Sequence, residues 1–140
     1  MFEFLSPGNQ LSPKKNNQSC VLKVTSNDGS LLITGDIEKE VEKGLVANQS
    51  KKLTADILIV PHHGSKTSSS SGFIGATAPR WAVFSAGYRS QFNHPHPKIV
   101  QRYENLGINT LNTADTGMLS FLLETPITPV KYRDQKLGYW

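Results

Sequence analysis

The sequence predicts an α/β protein in which short apolar strands alternate with amphipathic helices. Apolar runs bounded by turn residues alternate with segments whose apolar residues recur at helical spacing. Hydrophobic residues make up 37% of the 140 residues, which is enough apolar material for a packed core. No internal repeat or long linker interrupts the pattern. We therefore expect one domain at residues 1–125 and a C-terminal tail at residues 126–140.

The predicted elements follow the order strand, two strands, helix, strand, helix, strand, helix, two strands. Asp28-Gly29 predicts a hairpin turn between the second and third strands. Pro97 suits the first turn of the last helix, and Gly107 suits its end. The predicted strands are 2–5, 20–25, 31–34, 56–60, 81–84, 109–112 and 118–123, the predicted helices are 37–48, 70–76 and 97–106, and the longer loops are 8–19, 61–71 and 87–96.

Composition and charge exclude several classes of protein. The single cysteine, Cys20, excludes an internal disulfide framework and a thiolate zinc site within the chain. No apolar run approaches the roughly 18 residues of a transmembrane helix, and the N-terminus lacks the features of a secretory signal. The net charge of +4 is compatible with a polyanionic partner but does not require one.

Residues that can bind a metal follow two of the predicted strands. Gly35-Asp36 ends the first of these strands, and Pro61-His62-His63-Gly64 ends the second. If the strands are parallel neighbours, Asp36 and the histidine pair meet at one edge of the sheet. Carboxylate and imidazole are ligands for zinc, manganese or iron. Such an ion can activate water and clamp a phosphoryl oxygen, so this edge is a candidate site for hydrolysis.

Each of these residues also has a purely structural interpretation. Asp36 precedes a predicted helix, where aspartate is a favoured N-cap. His62 and His63 can be turn residues whose ring nitrogens bind backbone groups. The residues alone leave both interpretations open, and Asp36 can serve in both roles.

Two further segments allow two interpretations each. The run at 65–71 is either a flexible linker or a set of hydroxyls that, with Lys66, binds phosphate at a helix N-terminus. The loop at 87–96 carries Arg89, two aromatic residues, His94 and His96. It either contacts phosphate and stacks a base, or it is an ordinary loop that caps the following helix.

Five segments together resemble one protein family. They are Asn16-Asn17-x-Ser19, residues 31–38, residues 55–68, His94-Pro95-His96-Pro97 and residues 113–117. Their order resembles the C-terminal metallo-β-lactamase-like domain of the ComEC-type DNA-uptake channel proteins of bacterial competence. The resemblance covers residues 4–123, and the segment Pro-His-His-Gly-Ser-Lys-Thr-Ser at 61–68 is its most specific part.

The resemblance implies a fold and an activity. The fold would be a four-layer αββα sandwich with a metal site at one edge of its two sheets. The activity would be that of a metal-dependent hydrolase, a nuclease acting on the DNA strand that is not imported, with one or two zinc or manganese ions. The partners would be single-stranded DNA or another phosphodiester, the upstream half of the domain and the membrane channel of the same protein, at the bacterial inner membrane.

The resemblance also implies roles for individual residues. Asp36 would be the bridging or second-metal carboxylate. Either His62 or His63 would be the last metal ligand, and the other would support it or contact a phosphate. The metal-binding residues would thus be Asp36, His62 and His63, the catalytic residues Asp36, His63 and Lys66, and the substrate-binding residues Ser65, Lys66, Ser68, His94 and His96.

One motif of this family has no counterpart in the sequence. The His-x-His/Asp-x-Asp-His cluster that binds the first metal normally lies upstream of all these segments. We therefore expect the chain to hold roughly the second half of the domain, to bind metal weakly and to lack catalysis alone. Three functions stay open: a nuclease fragment, a metallo-β-lactamase-fold hydrolase of another substrate, and a non-catalytic DNA-binding or interaction module.

Overall fold

The computed structural model describes residues 1–8 and 12–135, which are organised around a six-stranded mixed sheet. Its strands are β1 (Phe2–Ser6), β2 (Val21–Thr25), β3 (Ser30–Ile33), β4 (Ile57–Ile59), β5 (Trp81–Phe84) and β6 (Asn109–Asn112). They stand side by side in chain order. The pairs β1–β2 and β2–β3 are antiparallel, whereas β3, β4, β5 and β6 run parallel to one another.

Helices connect the parallel strands, because successive strands that point the same way need a crossover connection. The helix α1 (Lys39–Leu53) joins β3 to β4, α2 (Ser71–Thr77) joins β4 to β5, and α3 (Pro97–Glu104) joins β5 to β6. After β6 come α4 (Thr113–Thr116), β7 (Leu119–Phe121), β8 (Pro129–Lys131) and α5 (Tyr132–Gln135). The strands β7 and β8 form a separate antiparallel ribbon.

The main core lies between one face of the sheet and the helices α1, α2 and α3. Successive strand residues point to opposite faces, so alternate residues of each strand enter this core. Leu32 and Leu58 at the centre of the sheet are fully buried there, together with Phe73 of α2 and Tyr103 of α3. Full burial of a large apolar side chain contributes roughly 1.5–3 kcal/mol. This face therefore carries much of the stability of the fold.

The opposite face of the sheet is also apolar but is only partly covered. Ile57 and Val83 are buried there against Ile127, which lies between β7 and β8. The cover does not reach β1, where Phe2 and Phe4 are 76% and 69% exposed. These two rings share the face of Ile57, because the register of β1 through β4 aligns Phe2 with Ile57 and Phe4 with Ile59, and residues two apart in a strand point to the same face.

The predicted α/β class is confirmed, with differences in individual elements. The helix α1 is interrupted by a kink at Gln49, with φ and ψ of −140° and 24°, directly after the predicted end at residue 48, and then continues to Leu53, which is buried in the core. The sequence pattern does not predict α4, β8 or α5, which are too short to show a hydrophobic period. The last two lie in the predicted tail, whose residues 136–140 are outside the described residues, as are residues 9–11 of the first loop.

None of the helices in the described part of the chain has the length and apolarity needed to cross a membrane.

Candidate functional site

A cavity of about 380 Å³ opens where the parallel strands of the sheet end. The loops after β3 and β4 bring Asp36, His62 and His63 together at its wall, as the sequence predicts, because these two strands are parallel neighbours. His94 reaches the same cavity from the loop that precedes α3. The site therefore contains one carboxylate and three imidazoles.

The loop after β3 holds Asp36 through a close approach that glycine permits. Gly35 has a φ of +55°, and a Cβ on it would lie 2.8 Å from the Ser19 Cβ. The Ser19 hydroxyl accepts a hydrogen bond from the Asp36 N–H at 3.1 Å. The Asn17 side chain accepts one from the Glu38 N–H at 3.0 Å. Residues 16–19, which the sequence predicts only as part of a loop, therefore position Asp36.

Asp36 does not cap α1, so that interpretation of the residue is wrong. The helix begins at Lys39, and the residue before it is Glu38, whose side chain makes no capping hydrogen bond. The Asp36 carboxylate is about half exposed and faces the ring of His63, with 3.5 Å between Oδ1 and Nε2. Asp36 is therefore available for chemistry in the cavity.

His62 and His63 form a tight turn with an unusual backbone. Their φ angles are +49° and +55°, in the left-handed region that residues other than glycine seldom adopt. The His62 N–H donates to the Gly35 carbonyl at 3.0 Å, which ties this turn to the loop carrying Asp36. Backbone strain of this kind concentrates at functional sites.

One ring nitrogen of His63 is fixed by the backbone, and the other is directed at Asp36. The His63 Nδ1 lies 2.6 Å from the Ser85 carbonyl oxygen, which can only accept, so Nδ1 carries a proton. In neutral His63 the Nε2 keeps its lone pair, 3.5 Å from Asp36 Oδ1. Two ligand atoms around one tetrahedral zinc ion, each about 2.0–2.1 Å from it, stand at a similar separation. These two atoms can hold a cation between them or, with His63 protonated, form an ion pair.

His62 occupies a different setting from that of His63. Its Nδ1 lies 3.2 Å from the Thr67 hydroxyl and 4.0 Å from Glu38 Oε1. Burial raises the pKa of Glu38, but hydrogen bonds from Lys14 and Thr67 and the nearby positive charge outweigh it and hold the pKa below its ordinary value. A charged carboxylate and a hydroxyl therefore position the His62 ring. Sequence reasoning misses Glu38 and Thr67, although both lie within segments that it singles out.

His94 brings a third imidazole close to this pair. Its ring centroid lies 5.8 Å from that of His62 and 6.4 Å from that of His63. The His94 Nδ1 is buried and has no hydrogen-bond partner among the described residues. Burial and then the neighbouring rings of His63, His62 and His96 lower the pKa of His94. His94 therefore presents a neutral ring with an unpartnered nitrogen.

The donor types of the cavity fit a divalent metal, but the number of donors is small. Imidazole nitrogen and carboxylate oxygen are the preferred ligands of zinc and suit manganese as well. Asp36 and His63 supply two such atoms at a compatible separation. Within residues 1–8 and 12–135, no group of three or more His, Cys, Asp or Glu side chains is arranged to hold a metal ion.

A second cavity, also of about 380 Å³, lies on the other side of His94. Ser65, Lys66 and His96 line it, so three of the predicted substrate-binding residues come together there. Burial and the positive charges of Lys66 and Lys98 lower the pKa of His96. The His96 Nδ1 also accepts a hydrogen bond from the Lys98 N–H at 3.2 Å, so the predicted capping role is confirmed. The positive charge of Lys66 makes this cavity basic, so it suits an anionic group.

The serine run at 65–71 is ordered, so its interpretation as a flexible linker is wrong. Ser68 and Ser69 are fully buried. The Ser68 hydroxyl donates to the Pro61 and Ser65 carbonyl oxygens at 3.0 and 3.1 Å. The structure thus places Ser68 beneath the loop, where it holds Ser65 of the second cavity but does not itself line either cavity.

The two residues that precede α2 bind a carboxylate of the protein, whereas phosphate binding by the serine run with Lys66 stays a prediction. The buried side chain of Glu42 accepts hydrogen bonds from the N–H groups of Ser69 and Ser70, the latter at 2.8 Å. The Tyr103 hydroxyl donates to the Ser69 hydroxyl at 3.0 Å, and Arg102 donates to the Ser69 carbonyl. Burial raises the pKa of Glu42 despite these hydrogen bonds. The sequence gives no signal for this network, because a lone Glu on a helix resembles an exposed residue.

The chain is similar to bacterial proteins named for competence and recombination. It is 39% identical over 120 residues to Competence protein ComA of Neisseria gonorrhoeae and 38% identical over 120 residues to ComE operon protein 3 of Bacillus subtilis. It is 34% identical over 118 residues to Recombination protein 2 of Haemophilus influenzae. The three similarities cover 86%, 86% and 84% of this chain but only 17%, 15% and 15% of the relatives. No model of a known protein family matches the chain.

These similarities support the relationship to competence proteins that the sequence motifs indicate. The chain spans about one sixth of the length of the curated relatives it matches.

Proposed function

We propose that the chain is part of a competence protein that acts in DNA uptake, and that it contributes to a metal-dependent phosphodiester hydrolase, a nuclease. The observation that carries this proposal is the pair Asp36 Oδ1 and His63 Nε2, 3.5 Å apart in a cavity that adjoins a basic one. The similarity to proteins named for competence supports the biological setting.

Asp36 and His63 would hold a zinc or manganese ion. Such an ion, when bound, supplies a Lewis acid and an activated water for attack on phosphorus. The Ser85 carbonyl accepts a hydrogen bond from the Nδ1–H of His63, which keeps Nε2 directed at the metal position. His94 lines the same cavity, while its unpartnered Nδ1 is buried.

Lys66 and His96 would hold the substrate phosphate beside this metal position. Both line the basic cavity, which shares Phe92 and His94 with the first cavity. A bare Asp36 carboxylate repels a phosphate, so an anionic substrate next to it requires a positive ion between them. The arrangement of the two cavities thus favours a metal-bound phosphodiester over a phosphate held by the protein alone.

We further propose that the remaining metal ligands come from outside this chain, in a metallo-β-lactamase-like αββα sandwich. The partly covered apolar face that carries Phe2 and Phe4 would receive the second sheet of that sandwich. The upstream half of the domain would then be a partner, together with the membrane channel of the same protein and single-stranded DNA. The complete protein would act at the bacterial inner membrane.

The nuclease proposal is tested by cleavage of single-stranded DNA with manganese, using a protein that includes the upstream half. Asp36→Ala should reduce cleavage by more than the roughly 10–100-fold that follows loss of a group supporting a metal ligand. Asp28→Ala is the matched control, because Asp28 is exposed in the turn between β2 and β3. Equal cleavage by the Asp36 and Asp28 variants would show that Asp36 has no part in catalysis.

The two histidines of the pair should differ in metal affinity. In manganese or zinc titrations of the same protein, His63→Ala should weaken binding more than His62→Ala, because His63 alone of the two faces Asp36. Equal affinities of both variants and the wild type would contradict the assignment of His63 as a ligand.

A non-catalytic DNA-binding module is the second candidate. The observation that favours it is the lack, within the described residues, of three metal-binding side chains arranged around one point. Retained DNA binding without cleavage, in the protein that includes the upstream half, would select this function.

A further inference from the structure

Phe92 occupies an unusual place for an aromatic residue, because its side chain is 71% exposed at the functional site. Within the loop at 87–96, Phe92 and His94 are the residues that line both cavities. One side of the first cavity carries Asp36 and His63, and the second cavity carries Lys66. The ring therefore stands between the proposed metal position and the proposed phosphate position.

The Phe92 ring has one aromatic neighbour that orients it. Its centroid lies 6.1 Å from that of His94, and the two ring planes meet at 83°. This edge-to-face contact leaves most of the ring surface open to solvent. Because the ring also lines both cavities, its open surface is available to a ligand bound there.

The surroundings of Phe92 suit a ligand that has an anionic backbone on one side and a flat ring on the other. Among the described residues that line the second cavity there is no carboxylate, and Lys66 and His96 are its basic members. Earlier in the same loop, Tyr88 is 70% exposed and carries the Arg89 guanidinium over its ring at 5.2 Å. A loop with exposed aromatic rings beside cations is typical of proteins that bind single-stranded nucleic acid through backbone contacts and stacked bases.

We propose that Phe92 stacks on an unpaired base of single-stranded DNA that flanks the phosphodiester held at Lys66. This inference rests on the proposed function and adds to it a residue that determines specificity. A base within a duplex is already stacked and cannot present its face to the ring, so the contact selects single strands. Asn93 adds amide hydrogen-bonding groups to the wall of the same cavity.

The test compares two fluorescein-labelled strands that share phosphates but differ in bases. One is an oligothymidylate of about twelve nucleotides, and the other is an abasic strand of equal length; binding is followed by fluorescence anisotropy in the presence of manganese. The wild-type chain should bind the oligothymidylate roughly tenfold more tightly than the abasic strand. Phe92→Leu should lose this preference while keeping its affinity for the abasic strand, and Phe92→Trp should retain the preference.

Phe4→Leu is the matched control, because Phe4 is similarly exposed, at 69%, but lies on β1 far along the sheet from the cavities. It should bind both strands as the wild type does. Equal weakening of both strands by Phe92→Leu, or an unchanged preference, would overturn the stacking role. If the wild-type chain binds both strands equally, the stacking role is wrong but the proposed DNA binding stands. If the wild-type chain binds neither strand, both the stacking role and the proposed DNA binding are wrong. A base preference combined with unchanged cleavage by Asp36→Ala supports stacking and rejects the catalytic assignment.

Discussion

The two faces of the six-stranded sheet are built by the same strands but differ in what covers them. On the helix face, Leu32 and Leu58 are fully buried beneath α1, α2 and α3. On the opposite face, their neighbours Leu31 and Ile59 are only partly buried, and Phe4 near the edge is mostly exposed. Both faces are apolar, so the difference lies in the covering layer and not in the strands.

The comparison indicates how each face supports the functional site. Glu42 and Tyr103, which hold the serine loop, belong to helices on the closed face, which is the helix face that buries Leu32 and Leu58. On the open face, which is the partly covered face of Ile57, Thr113 accepts a hydrogen bond from the N–H of Ala86, a residue that lines the first cavity, at 3.0 Å. Substitutions on the closed face should therefore change the stability of the chain. Substitutions on the open face should instead change its assembly with a further layer.

Removing a large side chain from the closed face should have the largest effect. Phe73→Ala should lower the free energy of unfolding by about 3–5 kcal/mol, because the ring is fully buried and leaves a cavity. Phe4→Ala on the open face should change it by no more than about 0.5 kcal/mol. Urea denaturation of both variants measures the difference. Similar losses would mean that the open face is already part of a closed core.

Loss of the Glu42 carboxylate should cause the next largest decrease in the free energy of unfolding. Glu42→Ala should cost about 2–4 kcal/mol, because the buried N–H groups of Ser69 and Ser70 lose their acceptor. Glu124→Ala, at an exposed glutamate, is the control and should stay near the wild type in urea denaturation. A small loss for Glu42→Ala would show that water replaces the carboxylate and that the serine loop does not depend on it.

The ribbon on the open face should respond to loss of a single hydrogen bond. Trp81 donates its indole N–H to the Ile127 carbonyl at 3.2 Å, which joins β5 to the segment between β7 and β8. Trp81→Phe should cost about 1 kcal/mol. Hydrogen exchange should accelerate in β7 and β8 but not in α1. Uniform acceleration in all elements would show that the ribbon and the closed face unfold as one unit.

The smallest effect should be a dependence of stability on pH that is caused by Glu42 on the closed face. Because burial raises the folded-state pKa of Glu42 above 4.5, the folded chain binds this proton more tightly than the unfolded chain does. Its contribution to stability is fully present below pH 4.5 and is lost as the pH rises through the folded-state pKa. The difference in unfolding free energy between wild type and Glu42→Gln should change over this window. A constant difference across these pH values would contradict the direction of the shift.

Much of the candidate site follows from local sequence. Apolar runs that end in Gly35-Asp36 and in His62-His63 predict two strands with polar ends, and parallel pairing brings these ends together. The same local pattern cannot predict Glu42, because its partners Ser69 and Ser70 are 27 and 28 residues away in the chain. It also gives two interpretations for the serine run, which only burial against the helices resolves.

Local sequence patterns are enough to predict the α/β class, the order of the main elements and the residue types at the end of the sheet. Hydrophobic periodicity and turn residues are local properties, so they can be read without knowing what packs against what. The tertiary structure alone decided that Ser85 fixes the His63 ring toward Asp36 while Glu38 and Thr67 hold His62. It also decided that one face of the sheet is closed and the other open, because both depend on contacts between segments distant in the chain.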